Sequence, residues 1–330
     1  MSTSSMKNLY TATGLAGIAA LALMNPALVS AQEGKRAEAA TEINIQKQVI
    51  QLSGHMGVGY LSGESQETVY EAETGHKLSE LIWKLDNVFM FNIGGSVSPK
   101  PWLTFNGDFW IKLNDGNGYM DDYDFYLYNY DYTHWSHSDV DLTTGYMIDV
   151  STAFTFYEYG ETAFSGLIGY KRDSWEWEAS GGSYVYSSYY LYDTVGTLPN
   201  GKVITYSQWY DVPYIGVAFR SKLTDWTFTG RAIFSPYAMA GDEDTHHLRN
   251  LKFEEDFDPT TMYAIDFGAA YHFNPKLSLL GNVHYQQYME AEGSTTIIDQ
   301  TTGARYYYGG DAAGTDHKSS LFSLTLLYNF

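Results

Sequence analysis

The chain has no cysteine, no long apolar run beyond residue 31, and few basic residues. Without cysteine there is no disulfide framework, so stability must come from a large core or from a lipid bilayer. Without an apolar run of about 20 residues, a membrane-spanning helix beyond residue 31 is excluded. The 19 Lys and Arg against 39 Asp and Glu give a net charge of −20, which argues against nucleic acid as a partner. The acidic excess fits either a cationic partner or a solvated acidic surface.

The first 31 residues have the pattern of a secretory signal peptide. Lys7 supplies a positive charge, Leu15–Met24 is an uncharged apolar run, and Val29–Ala31 offers small residues for cleavage. The apolar run is shorter than the roughly 20 residues of a spanning helix. We therefore expect residues 1–31 to be removed and one domain to extend over residues 32–330.

Alternating polar and apolar residues dominate the rest of the chain. Aromatic residues make up 17% of the sequence, including 30 Tyr, although the mean hydropathy is −0.29. In Ser319–Phe330 every even position is apolar or aromatic, whereas the odd positions are mostly polar. Such a segment has one face for lipid and one for a polar lumen, and it ends on an aromatic residue, as bacterial outer-membrane barrels do. A soluble β-sandwich shows the same alternation but does not need the terminal Phe.

Ten such runs follow one another, with almost no helical periodicity between them: Gln48–Leu61, Thr68–Val97, Trp102–Asn114, Met147–Glu158, Ala163–Glu178, Lys202–Leu223, Trp226–Ala240, Thr261–Phe273, Leu277–Glu292 and Ser319–Phe330. Short turns and long polar loops separate them in alternation, which is typical of the two ends of a barrel. The sequence therefore predicts an all-β fold, a ten-stranded antiparallel transmembrane β-barrel that extends beyond the outer membrane. Gly63–Thr68, Asp115–Tyr146 and Asp242–Pro259 are predicted as loops that meet at its outer rim.

An acidic cluster lies in the second of these predicted loops, within Met120–Phe125. Asp122 and Asp124 are two residues apart, so in an extended chain they share one face. A calcium loop is disfavoured because the EF-hand spacing and its closing Glu are absent. The plain alternative is a group of loop acids that only keep a turn solvated.

A second cluster follows the strand Trp226–Ala240 and contains two histidines. Asp242, Asp244 and His246 share one face of an extended chain, while His247 points the other way. An imidazole beside a carboxylate is a positioned general base. A surface histidine near loop acids, or a metal site formed by Asp and His ligands, are the alternatives.

Both clusters match one known family, together with longer blocks elsewhere. The supporting blocks are Ser62–Gly63, Glu67–Tyr70, Lys77–Lys84, Gly181–Ser188, Leu198–Gly201 and Val212–Gly216. With Met120–Phe125 and Asp242–His246, they make the chain resemble the omptin family, outer-membrane aspartyl endopeptidases of Gram-negative bacteria. The matches run from about residue 57 to the C-terminus, so the resemblance covers essentially the whole predicted barrel.

The resemblance implies a catalytic site made of two pairs of side chains. Asp244 and His246 would activate a water molecule, with His246 taking its proton and Asp244 orienting the imidazole. Asp122 and Asp124 would face them across that water, and their like charges are expected to raise the pKa of at least one carboxyl. Neither a metal, a cofactor nor a covalent intermediate is implied.

The resemblance also implies cleavage after basic residues. Glu67 and Asp242 would line the pocket for the Arg or Lys side chain before the scissile bond, because a buried cation needs carboxylate partners. An acidic rim on the outside of a Gram-negative cell would attract cationic peptides and proteins. We expect a monomer. A different class of function is a non-catalytic barrel, an adhesin or receptor whose acidic rim is only a docking surface.

One departure from the family concerns lipid. Members typically need lipopolysaccharide, which outward-facing arginines on the fifth and sixth strands clamp. Ser174 and Trp209 stand at those positions here, and Arg172 is a candidate substitute, because it lies two residues before Ser174 on the same face. We expect outer-membrane lipid and lipopolysaccharide as partners, with weaker or altered dependence on lipopolysaccharide as an activator.

Overall fold

The computed structural model describes residues 50–330, so the predicted signal peptide lies outside the described residues. The thirteen strands of this part of the chain are β1 (Gln51–Glu71), β2 (His76–Lys100), β3 (Leu103–Lys112), β4 (Gly118–Asp124), β5 (His134–Tyr159), β6 (Thr162–Tyr186), β7 (Thr194–Thr197), β8 (Lys202–Leu223), β9 (Trp226–His246), β10 (Leu251–Phe257), β11 (Thr260–His272), β12 (Leu277–Asp299) and β13 (Arg305–Asn329). Between residues 50 and 330 there is no helix of the length and apolarity that a membrane crossing requires.

The strands close into a barrel in which every neighbouring pair is antiparallel. β1 pairs with β2 on one side and with β13 on the other. From β13 the pairing continues through β12, β9, β8, β6 and β5 and returns to β2. β3 and β4 share one position between β2 and β5, and β10 and β11 share one between β9 and β12. The short β7 adds to the end of β6. Closure leaves the wall without an open edge.

Each of the ten predicted runs falls in a different position around the wall, but the structure contains thirteen strands. The prediction of Asp115–Tyr146 and Asp242–Pro259 as loops is wrong, because β4, part of β5, the end of β9 and β10 lie within them. Gly63–Thr68 is also strand, within β1, and the turn of that hairpin is Ala72–Gly75.

The missed strands have a common physical cause. Alternation is visible in a sequence where one face meets lipid. Above the membrane the outward face meets water, and the inward face mixes apolar and acidic side chains, such as Met120 and Asp122 of β4. Gly63 is a second reason why a loop was predicted at Gly63–Thr68, because glycine is common in turns. In the structure it lies at a register shift between β1 and β2, and a Cβ there would stand 2.3 Å from the carbonyl oxygen of Lys318. The glycine permits close approach of β13 rather than a turn.

A band of exposed apolar side chains surrounds the half of the barrel that carries the short turns. On β13, Phe322, Leu324, Leu326 and Tyr328 are 41–58% exposed, on the even positions predicted to face lipid. Outward-facing side chains on β1 and β2 continue the band: Leu52, Met56, Val58, Phe89, Ile93 and Val97. This half is the membrane-spanning part. Strands of up to 26 residues carry the wall beyond it, since about 9–11 residues suffice to cross a bilayer.

The lumen of the membrane-spanning half is polar, and it surrounds a cavity of about 470 Å³. Three aspartates that line this cavity each contact a histidine or an arginine: His55–Asp108 at 2.8 Å, Arg231–Asp149 at 2.6 Å and His284–Asp266 at 2.8 Å. The carboxylates at this level therefore have partners within the wall itself, as buried charges require.

A layer of buried aromatic side chains fills the lumen above that cavity. Tyr206 stacks on Trp83 and on Trp177, with ring centroids 5.2 and 5.6 Å apart. All three side chains are fully buried. Nearby, Asp173 is paired with Lys171 and accepts a hydrogen bond from a tyrosine hydroxyl of β12. The layer is a rigid base for the side chains that enter the lumen from the outer parts of the strands.

Leu324→Arg is expected to lower the free energy of unfolding by about 2–4 kcal/mol, because it places a charge on the lipid face of the membrane-spanning half. Tyr307→Arg, 71% exposed on the same strand above the membrane, is the matched control and should change stability by less than about 0.5 kcal/mol. Denaturant unfolding in lipid vesicles measures both. Equal effects of the two substitutions would contradict the assigned membrane position.

Candidate functional site

The first group of candidate residues lies at the outer end of β9, where alternate side chains enter the lumen. Asp242 and Asp244 are each 1% exposed, whereas Glu243 between them is exposed on the outside. β8 and β10 pair with this end of β9, so the segment is part of the β-sheet and not a free loop. Oδ2 of Asp244 lies 2.5 Å from Nε2 of His246. The neighbouring His247 is exposed and turned away, against Thr205.

The second ring nitrogen of His246 also has a partner. The guanidinium of Arg249, in the turn between β9 and β10, donates to Nδ1. The same guanidinium nitrogen lies 3.3 Å from Nε2, which also contacts Asp244. A neutral ring with its proton on Nε2 suits both neighbours, because a guanidinium only donates and a carboxylate only accepts. The imidazole ring packs beside Phe253 of β10, with centroids 5.2 Å apart. Asp244 and Phe253 thus fix the ring so that the lone pair of Nδ1 is the one available for chemistry.

Asp122 and Asp124 enter the lumen from β4, on a different part of the wall. Strands β5, β6 and β8 separate β4 from β9 along the sheet. Ser79 Oγ donates to Asp122 Oδ1 over 3.2 Å. Burial and the neighbouring Asp124 raise the pKa of Asp122 to about 7, whereas His246 and Arg249 act to lower it. The acid pair and the imidazole therefore interact across the lumen.

Beside these pairs, carboxylates from three strands are buried close together, and this cluster of Glu67, Asp242 and Glu255 is called the carboxylate pocket below. Glu67 of β1, Asp242 of β9 and Glu255 of β10 are 2%, 1% and 4% exposed. Glu67 lies in one cross-strand row with Asp122, through Leu81 of β2, and Glu255 lies directly opposite Asp242. Burial, reinforced by the neighbouring carboxylates, raises the pKa of Glu67 and of Asp242 well above the usual range. Burial also raises the pKa of Glu255 to about 7.

Neutral hydrogen-bonding groups form the floor of this pocket. The Tyr206 hydroxyl donates to Oδ2 of Asp242 over 2.9 Å and lies 3.1 Å from Oγ1 of Thr315. Nε2 of Gln208 donates to the same Oγ1 over 2.6 Å. Tyr206 belongs to the buried aromatic layer, so that layer supports the acidic pocket from below.

The structure thus brings all six predicted site residues to one end of the lumen, and it adds residues that the sequence did not reveal. Glu255 and Arg249 were both within the segment predicted as a loop. A hairpin that turns after His246 places Glu255 opposite Asp242. The sequence signal for this strand was the spacing of Phe253, Glu255 and Phe257, which are two residues apart and share one face.

The outward face of β6 and β8 carries the residues considered for lipid. Ser174 and Trp209 are direct cross-strand partners, and neither side chain is charged. The guanidinium of Arg172 holds both carboxylate oxygens of Asp211, at 2.8 and 2.7 Å. The arginine considered as a substitute clamp is therefore already engaged by an acid of the same wall.

Metal ligation is the third alternative for the Asp and His side chains of this site. Within residues 50–330 no group of three or more His, Asp or Glu side chains is arranged to hold a metal ion. Asp244 and His246 form a pair, and the third group at this pair is the guanidinium of Arg249. A guanidinium is a cation, so it would compete with a metal ion for this place and cannot act as a ligand.

Comparison with known proteins gives a consistent result. The model of the omptin family matches residues 48–330. The plasminogen activator of Yersinia pestis is 34% identical over 275 residues, which are 82% of this chain and 87% of that protein. The outer membrane protease OmpP of Escherichia coli K12 is 26% identical over 318 residues, 94% of this chain and 98% of that protein.

A solved structure shows the same fold. The outer membrane protease OmpT of Escherichia coli superposes with a TM-score of 0.81 at 23% sequence identity, over 85% of this chain and 97% of that chain. The barrel architecture predicted from the sequence and the family resemblance are therefore both confirmed. This chain belongs to the omptin family of outer membrane proteases.

Proposed function

We propose that the protein is an outer-membrane endopeptidase that hydrolyses peptide bonds after Arg or Lys in cationic peptides and proteins, at the outer end of its barrel. The observation that carries the proposal is the Asp244–His246 pair, which interacts across the lumen with Asp122 beside a pocket of buried carboxylates. The family supports a protease, and one relative is named a plasminogen activator, which is consistent with a protein as substrate.

His246 is the general base in this mechanism. A water molecule between the two walls gives its proton to Nδ1, while the Nε2 proton stays on the side of the ring that contacts Asp244. The buried carboxylate then stabilises the imidazolium that forms. Arg249 occupies Nδ1 in the free protein, so its guanidinium must move aside before water can take that place.

The Asp122–Asp124 pair completes the mechanism from the opposite wall. Burial raises the pKa of both carboxyls, so the pair holds a proton near neutral pH. A protonated carboxyl can donate a hydrogen bond to the oxygen of the scissile carbonyl as the attacking water adds to its carbon. When the C–N bond breaks, the proton that His246 accepted passes to the leaving amine.

The carboxylate pocket determines specificity in this proposal. Glu67 and Asp242 have almost no exposure, and each has a buried oxygen without a hydrogen-bond donor. A guanidinium or ammonium group would satisfy those oxygens, and its charge would offset their mutual repulsion. The net charge of −20 for the whole chain would increase the encounter rate with cationic substrates.

His246→Ala is expected to lower kcat/KM on an Arg-containing peptide by about 10²–10⁴-fold, the usual contribution of a general base. The matched control is His247→Ala, because His247 is adjacent, exposed and turned away from the lumen. Heat-modifiable migration on gels verifies that both variants are folded.

Unchanged activity of His246→Ala would overturn the mechanism. A wild-type protein that cleaves no cationic peptide would instead favour the non-catalytic barrel, an adhesin or receptor. Retained activity in the presence of a chelator is the expected result, since no step of the proposal uses a metal.

Asp122→Asn tests the raised carboxyl pKa through stability. The pKa of Asp122 is about 7 in the folded protein against an ordinary 3.8, so the wild type loses stability as pH rises from about 4 to about 7. The variant lacks this loss. The free energy of unfolding of Asp122→Asn minus that of the wild type should therefore increase by about 1–2 kcal/mol from about pH 4 to about pH 7. This value is smaller than the full pKa shift implies, because the carboxyl is partly open to water. A difference that does not change between pH 4.5 and pH 8 would contradict the assignment.

We expect lipid-free protein to retain activity without lipopolysaccharide, since Ser174 and Trp209 provide no charge and Asp211 engages Arg172. The measurement is kcat/KM of protein refolded in detergent, with and without added lipopolysaccharide. Arg172→Ser should leave the ratio unchanged. An absolute requirement for lipopolysaccharide would sink this prediction.

A further inference from the structure

Glu255 has no role in the mechanism above, yet it lies in the same pocket. It is on β10 between Asp242 of β9 and Thr295 of β12, its cross-strand partners. Its side chain is 4% exposed, and neither carboxylate oxygen has a hydrogen-bond donor. Glu254 beside it points outward and is paired with Arg305 and Lys252. Glu255 is thus the acid of this strand that is directed to the lumen without a partner.

The groups that face Glu255 are acids and neutral acceptors or donors. They are Glu67 of β1, Asp242 and Asp244 of β9, and Thr295 of β12. Among the ion pairs of residues 50–330, none includes Glu67, Asp242 or Glu255. The pocket therefore concentrates negative charge that no cation of the described chain offsets.

Three buried carboxyls this close together cannot all be ionised when the pocket is empty. Glu255 and Asp242 lie directly opposite each other on β10 and β9, both are buried, and no cation of the described chain pairs with either, so one carboxyl of this pair must hold a proton. Burial raises the pKa of Glu255 to about 7, so that proton is present at neutral and mildly acidic pH. The empty pocket therefore holds at least one exchangeable proton.

An independent observation points to a ligand rich in donors. The amide oxygen of Gln208 is buried and has no donor, although the amide nitrogen of the same side chain is fully used. Together with Glu67 Oε2, Asp242 Oδ1 and both oxygens of Glu255, this gives five unmatched acceptors in the pocket region. A guanidinium has five N–H donors and no acceptor, whereas an ammonium has three.

We propose that Glu255 is a third specificity-determining carboxylate, which favours Arg over Lys, and that an entering guanidinium displaces the proton shared by Glu255 and Asp242. The inference rests on the proposed function, cleavage after basic residues. The exchange is balanced in charge, because one cation enters and one proton leaves to bulk water. Substrate binding is therefore coupled to proton release at this pocket.

The test compares Glu255→Gln with Glu254→Gln, its outward-facing neighbour, on peptides that differ only in Arg or Lys before the scissile bond. Glu255→Gln should raise KM for the Arg peptide at least tenfold with a smaller effect on kcat, and should reduce the preference for Arg over Lys. Glu254→Gln should behave as wild type. Calorimetry of N-acetyl-arginine amide at pH 6, in buffers of different ionisation enthalpy, should show proton release by the wild type and a release smaller by about one proton in Glu255→Gln.

Stability gives a measure that does not depend on activity. Because the folded-state pKa of Glu255 is raised, the wild type loses stability as pH rises from about 4 to about 7. Glu255→Gln removes that loss, so its Tm should exceed that of the wild type by more at pH 8 than at pH 5. If the variant does not fold, Glu255→Asp carries the test: it keeps the proton release but should lower kcat/KM for the Arg peptide.

The possible failures are distinguishable. A wild type that does not cleave after basic residues would refute the proposed function. A wild type that does cleave there, with Arg preference and proton release unchanged within about twofold in Glu255→Gln, would refute the role of Glu255 alone. Unchanged kcat/KM for the Arg peptide in Glu255→Asp would do the same.

Discussion

Closure of the β-sheet is the constraint on which the rest of this structure depends. Pairing that starts at β1 returns to β1, so backbone groups in the membrane-spanning half find their partners within the wall. The same ladder fixes the register and therefore decides which side chains enter the lumen. Glu67 and Asp122 lie in one row through Leu81, and Asp242 faces Glu255 in another. The site is thus placed by strands, which hold side chains more rigidly than loops do.

The charges inside the barrel follow a gradient along its axis. In the membrane-spanning half, Asp108, Asp149 and Asp266 each have a histidine or arginine partner within the wall. At the outer end, Glu67 and Glu255 have none in the described chain. Buried carboxylates without partners reduce stability, and the same electrostatic energy becomes available to a cation that enters from outside. The gradient therefore directs cations to the end where the candidate catalytic pairs lie.

Stability at that end comes from elements that carry no charge. The stack of Trp83, Tyr206 and Trp177 is fully buried beneath the pocket, and the ladder continues on both sides of β9. Packing of large aromatic rings contributes several kcal/mol, on the order of the cost of burying carboxyls that must be protonated or repel each other. An omptin-family barrel can keep a strained acidic pocket because the strands that form it extend well beyond the membrane.

The sequence by itself determined the class of fold, the alternate positions of Ser319–Phe330 that face lipid, and the identity of six candidate site residues. Apolar–polar alternation and family-specific blocks are local properties of a sequence, so they can be read without the tertiary structure. The sequence did not determine the strands β4, β7 and β10, since strands above the membrane have no lipid-facing apolar side and show no clear alternation. It also could not show that Arg249 occupies Nδ1 of His246, or that Glu255 stands opposite Asp242. Those relations depend on register and on the turn after β9. Only the closed barrel brings residues 120 positions apart, such as Asp124 and Asp244, to the same end of one lumen, where burial changes the chemistry of each carboxyl.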